Sequence, residues 1–138
     1  MTERTYTHDE IWASCEDLSR TFPTIYSKPE ILLSVSFGWH TILYKYGPLL
    51  EAAAIKAKEL RSDEDNELWG PPTIGGAKQK YGRLDISIYS GTDEIWDLVS
   101  EMEDESLHTC EVCGSNLARQ ETKYGWITTL CEKHKNQN

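Results

Sequence analysis

Apolar positions along the chain fall first into a helical rhythm. Ile11, Trp12, Cys15, Leu18 and Phe22 recur at spacings of three and four, with Asp9, Glu10, Glu16 and Asp17 off the stripe. A first amphipathic helix is predicted over residues 8–22, and Cys15 within its stripe reads as a small core residue. Pro23 ends or bends that helix, and the stretch after it is loop. Residues 31–37 are apolar and partly alternating, which suits either a short strand or a buried lead-in. After Gly38 the 3.6-residue rhythm returns at Trp39, Ile42, Leu43, Tyr46, Leu50, Ala53, Ala57 and Leu60. These mark a long second helix, in which Gly47-Pro48 predicts either a kink or a division into two helices. His40 has no histidine or carboxylate at metal spacing, so it is expected at the surface or as a cap.

The rhythm then changes. Residues 62–76 are acidic and then rich in Pro and Gly, an exposed connection. Within 77–90, Leu84, Ile86 and Ile88 alternate with Asp85, Ser87 and Tyr89, the period of a half-buried strand in a hairpin turning at Tyr81-Gly82. Lys78, Lys80 and Arg83 form the tightest basic cluster of the chain, a pattern that protects an exposed strand edge. Gly91-Thr92 caps a third helix over 93–106, with Ile95, Trp96, Val99 and Met102 expected inward and the acidic residues outward. A polar bend at 115–123 and a strand at 124–130 follow, with Trp126 and Leu130 expected to pack. No internal repeat stands out. The pattern predicts an α+β fold, about three helices on a small antiparallel sheet. A body over 1–106 and a C-terminal zinc ribbon or knuckle module over 107–138 would form one globular unit.

Four residues near the C-terminus carry the strongest chemistry. Cys110-x₂-Cys113 and Cys131-x₂-His134 are separated by seventeen residues, the spacing of two chelating pairs around one tetrahedral zinc. Gly114 suits the tight turn after the first pair. Four protein ligands leave no position for water, so the ion would be structural. The alternatives are a chance grouping, or one disulfide with spare ligands.

Charge sets the rest of the expectation. At 138 residues the chain is one domain's length, and its balance of 38% hydrophobic and 27% charged residues is that of a globular protein. No apolar run approaches the ~18 residues of a membrane span. The N-terminus lacks the regions of a signal peptide, so a cytoplasmic, reducing setting is expected. A net charge of −9 argues against direct nucleic-acid binding. Residues 93–111 hold eight acidic side chains and no lysine or arginine, and a second acidic cluster runs over 59–67. Asp97, Glu101, Asp104 and Glu105 are the candidate contacts for a partner protein with a basic surface. Solubility alone would also account for such faces. No phosphate loop, His-Glu-x-x-His helix, nucleophile elbow or deaminase motif is present. The expected role is therefore a non-enzymatic binding protein whose acidic face blocks a basic, nucleic-acid-binding surface of its partner. One alternative is a nucleic-acid accessory protein using the zinc module and the 78–83 hairpin. Another is an enzyme whose site the sequence hides.

Several of these residues together resemble a family of small uncharacterised proteins of bacteria, phages and prophages. The likeness rests on Phe22-Pro23, Gly38-Trp39, Lys78-Gln79-Lys80-Tyr81-Gly82-Arg83-Leu84, and the module from Ser106 to His134. The family often has Leu-Arg where this chain has Leu84-Asp85. The resemblance implies zinc ligation at Cys110, Cys113, Cys131 and His134. Its phage setting implies interference with a host defence or nucleic-acid system. It implies no mechanism.

Overall fold

The computed structural model describes residues 6–135. Residues 1–5, on which the reading of the N-terminus rests, and 136–138, the end of the expected module, lie outside the described residues. Among the described residues the architecture is α+β, with four α-helices, two 3₁₀ turns and two separate antiparallel hairpins instead of a single sheet. Helix α1 spans His8–Thr21, within a residue of its expected end. Thr7 and Glu10 cap it reciprocally, satisfying backbone donors that the first turn leaves orphaned. Cys15 and Leu18 are fully buried, as the stripe requires.

Residues 31–37 do not form a strand. Pro29–Ser34 and Phe37–Trp39 are 3₁₀ turns; Leu32 within the first and Val35, extended just after it, are buried. Helix α2, His40–Leu60, runs unbroken through Gly47-Pro48. Pro48 lies on the solvent side, and a Cβ on Gly47 would come within 2.6 Å of the Phe22 ring, so the glycine admits that ring against the helix. His40 is buried rather than superficial, only 3% exposed, with its Nδ1 2.7 Å from Ser14 Oγ and no hydrogen-bond partner for Nε2. Trp39, fully buried just before it, turns this end of α2 into the core.

The buried imidazole makes stability depend on pH. Burial drives its pKa from 6.5 down to about 4, with the Val35 backbone opposing weakly. Above pH 6.5 His40 is neutral in both folded and unfolded chains and contributes no pH dependence. Between 6.5 and 4 the unfolded chain takes up a proton that the folded one refuses, so stability falls by up to about 1.4 kcal/mol per pH unit. Below 4 the loss levels off. His40→Gln is expected to flatten this part of the curve relative to wild type, as measured by urea denaturation across the window. Parallel curves for the two proteins would exclude it.

The connection after α2 contains a helix that the sequence reading missed. Ser62 caps α3, Asp63–Trp69, and three acidic residues fill its first turn, where the helix dipole favours them. None of its residues is buried, so no apolar rhythm announces it. Gly70, at φ 71, stops it. Strands β1 (Thr73–Lys80) and β2 (Arg83–Tyr89) then pair antiparallel about the expected Tyr81-Gly82 turn, with an irregularity beside Gly75. β1 begins four residues before the expected hairpin. Helix α4, Asp93–Ser106, matches its expected bounds and is capped by Thr92.

One core joins α1, α2, α4 and the inner face of the first hairpin, through Leu18, Leu43, Leu50, Leu84, Ile95 and Met102 among others. Trp96 is not part of it. Ile95, Val99, Met102 and Ser106 hold the buried stripe of α4, while Trp96, one step round the helix, remains 45% exposed. Leu98 flanks the core in its place. The second hairpin pairs β3, Arg119–Lys123, with β4, Trp126–Leu130, so the expected polar bend is largely strand. No helix among the described residues is long and apolar enough to cross a membrane.

Candidate metal centre

Cys110, Cys113, Cys131 and His134 come together, with their candidate ligand atoms within 4.8 Å of one another, and could hold a metal ion. Each pair is shaped by a short backbone turn. After Cys110 the chain folds back so that Gly114 N donates to Cys110 O at 2.9 Å, and Val112 N lies 3.4 Å from Cys110 Sγ. Gly114 takes φ 80, which a side chain would strain, and an added Cβ would also come within 2.9 Å of Thr41. The second pair closes through His134 N donating to Cys131 O at 3.0 Å. β3 and β4 bring the two turns together: Arg119 pairs with Leu130 next to the ligands, and Leu130 packs on a small cluster of Cys110, Ala118 and Cys131. Leu130 thus packs as expected. Trp126 does not: it is 77% exposed.

The sulfurs are not arranged as a disulfide. Cys113 Sγ and Cys131 Sγ stand 3.7 Å apart, against about 2.05 Å for an S–S bond. His134 Nδ1 lies 3.5 Å from Cys110 Sγ and 3.2 Å from Cys131 Sγ. Burial raises the Cys131 thiol, but hydrogen bonds from His134 and the neighbouring sulfurs carry it down to about 7. Cys113 is the exposed member of the four, yet partial desolvation and the neighbouring thiols push it up to about 11. A cation among these groups would reverse that rise, since a metal ion deprotonates the thiols that bind it.

Glu111, which the sequence reading did not single out, ties this centre to the body. Its carboxylate accepts from Thr129 N at 2.6 Å, and also from Ser36 Oγ and Gln79 Nε2. Burial raises its pKa, while these hydrogen bonds work to lower it. In sequence it is one more acid at the end of an acidic run, with no signal of its own. Its backbone oxygen accepts from Gly38 N at 2.8 Å, and Trp39 Nε1 donates to Thr109 O at 2.8 Å. Ser106 Oγ accepts from Leu84 N at 2.9 Å, and Thr129 Oγ1 donates to Gly82 O. Gly38-Trp39, Gly82 and Ser106, residues on which the family resemblance rests, therefore meet at one seam.

The four acidic candidates divide into two groups. Glu105 accepts from Lys45 Nζ at 2.8 Å and from the Tyr46 hydroxyl at 3.0 Å, and Asp104 pairs with Arg83 at 3.4 Å. Glu103, also in this run, takes Ile86 N at 3.0 Å and pairs with Arg83. The cations missing between 93 and 111 are thus supplied by α2 and β2. Asp97 and Glu101 stay exposed and, among the described residues, make no ion pair. No family model, curated protein or solved structure matches the chain.

Proposed function

We propose that this is a non-enzymatic binding protein in which Cys110, Cys113, Cys131 and His134 hold one structural zinc. The observation that carries the metal's identity is the set of distances between donor atoms. Zinc about 2.3 Å from sulfur and about 2.05 Å from nitrogen, at tetrahedral angles, sets S···S edges of about 3.8 Å and S···N edges of about 3.5 Å. The 3.7 Å and 3.5 Å separations match these, and 3.2 Å is a little short. Three sulfurs and one imidazole are the soft, closed donor set that zinc takes in structural sites. Such a site holds the second hairpin in place and leaves no coordination position for substrate. The thiolates it needs persist in a reducing compartment.

The partner in this reading is a protein with a basic surface, met by Asp97 and Glu101 and their exposed neighbours Asp93 and Glu94 on α4. Support comes from their exposure without ion pairs, in contrast to Asp104 and Glu105, which already bind Arg83 and Lys45. An unscreened acidic face speeds association with a basic one. A phage-type inhibitor blocking a nucleic-acid-binding surface is one form that such a protein would take. Replacing Asp97 and Glu101 with lysine is expected to abolish capture of the partner from a lysate at low salt, with zinc content and melting temperature retained. Undiminished capture by that variant would reduce the face to solvation.

A further inference from the structure

The chain builds the same three-residue turn twice. Lys80-Tyr81-Gly82 closes the first hairpin and Lys123-Tyr124-Gly125 closes the second. In both, tyrosine and glycine take positive φ: 55 and 74 in the first turn, 53 and 83 in the second. In both, the lysine ammonium sits over the tyrosine ring, at 6.0 Å and 5.9 Å. Asparagine, aspartate or glycine closes such a turn with less strain, and a bulky residue there is an outlier. Packing does not compensate, because Tyr81 is 71% exposed and Tyr124 92%. Twice, then, the fold strains its backbone to place an aromatic ring in solvent beside a lysine.

Trp126 extends the second turn. It pairs with Lys123 across the hairpin, so the two side chains share a face. The opposite face, through Gln120, Ile127 and Thr129, packs on the first turn: Gln120 Nε2 donates to Tyr81 O at 3.0 Å, and an added Cβ on Gly82 would lie 2.9 Å from Ile127. Ile127 is the second residue of β4, so the two turns stand within about 10 Å of one another along the hairpin. Beside the first turn, an open cleft of about 410 Å³ is lined by Lys80, Tyr81, Arg83, Asp85, Leu107 and Gln120 among others.

Charge is segregated in the same sense. Residues 77–90 and 107–138 contain seven of the fourteen lysines and arginines but only four of the 23 acidic residues, a net +3. The remainder carries −12, so the overall −9 belongs to the helices and not to the hairpins. Single-stranded nucleic acid is bound by aromatic faces on which bases stack, set within positive charge that follows the phosphates. We propose that the two Lys-Tyr-Gly turns bind single-stranded nucleic acid, Tyr81 and Tyr124 stacking on bases and Lys80 and Lys123 meeting phosphates. A few nucleotides at about 3.4 Å per stacked base span the gap between the turns. Arg83 beside the first turn is already paired with Glu103 and Asp104 of α4, so the proposal rests on Lys80 and Lys123 and is independent of the partner proposed for Asp97 and Glu101.

The test uses the zinc-loaded full chain and fluorescence anisotropy with labelled oligothymidylate and oligouridylate of about 20 nucleotides at about 50 mM salt. Binding is expected to both, more weakly to a duplex of equal length. Tyr81→Asn and Tyr124→Asn keep the positive φ that each turn needs, so their melting temperatures should hold or rise. Each is expected to weaken binding about tenfold. Lys80→Gln with Lys123→Gln should make the salt dependence shallower by one to two counterions. The proposal is overturned if the loaded wild type binds neither strand, or if the double tyrosine variant binds as tightly as wild type. Equal affinity for anionic lipid vesicles would overturn it as well.

Discussion

Cys113→Ser is expected to cost the protein the zinc proposed for its Cys₃His cluster and with it the fold of the C-terminal module. Structural zinc contributes ~10 kcal/mol or more of apparent binding free energy, comparable to the whole stability of an ordinary domain. Serine offers a hard hydroxyl that does not deprotonate as a thiol does, so the tetrahedron loses one corner. The Cys131 and Cys110 sulfurs, already crowded against His134, would then lack the cation that offsets their mutual repulsion. Elemental analysis should give one zinc per wild-type chain and well below that for the variant. Thermal denaturation should show a separate low-temperature transition or a collapse of the whole melt. A wild-type protein that is metal-free and equally stable would remove the site from consideration.

Gly38→Ala is expected to be the most damaging change outside the ligands, by about 3 kcal/mol or more. An alanine methyl there would run into the Cys110 carbonyl oxygen and come within 2.6 Å of the Glu111 carbonyl carbon. Both atoms are backbone and cannot swing aside. Relief requires the module to move off the body, which breaks the Gly38–Glu111 and Trp39–Thr109 hydrogen bonds and loosens the Glu111 carboxylate from Ser36. Zinc should remain bound, because the four ligands move together. Gly76→Ala is the control, since its methyl would meet only Ser87, at 3.8 Å. Equal melting temperatures for the two variants would show that this close approach does not hold the module.

Both expectations come from one seam, and the sequence announced only half of it. The Cys-x₂-Cys and Cys-x₂-His pairs were legible because a chelating pair has a local spacing, and local spacing is what a sequence displays. The stripes of α1 and α4 were legible for the same reason. Burial on one side of a helix imprints a period, and Ile95, Val99 and Met102 carry it. The inner positions Leu84 and Ile86 likewise carried the period of a strand.

What failed to show in the sequence has its cause in contacts between distant segments. α3 buries nothing, so it is held by its Ser62 cap and dipole and leaves no hydrophobic rhythm. His40 is buried against Phe37 and beside Ser14, which lies 26 residues away in sequence. Trp96 and Trp126 are large and apolar, which says that they would gain from burial but not which side of their element meets a neighbour. Glu105 and Asp104 read as one exposed acidic face until α2 and β2 brought Lys45 and Arg83 against them. By itself, then, the sequence determined the elements with a period and the ligands with a spacing. The tertiary structure decided which charges are already paired and which aromatic rings face water. Those properties depend on which surfaces meet, and no local pattern encodes that.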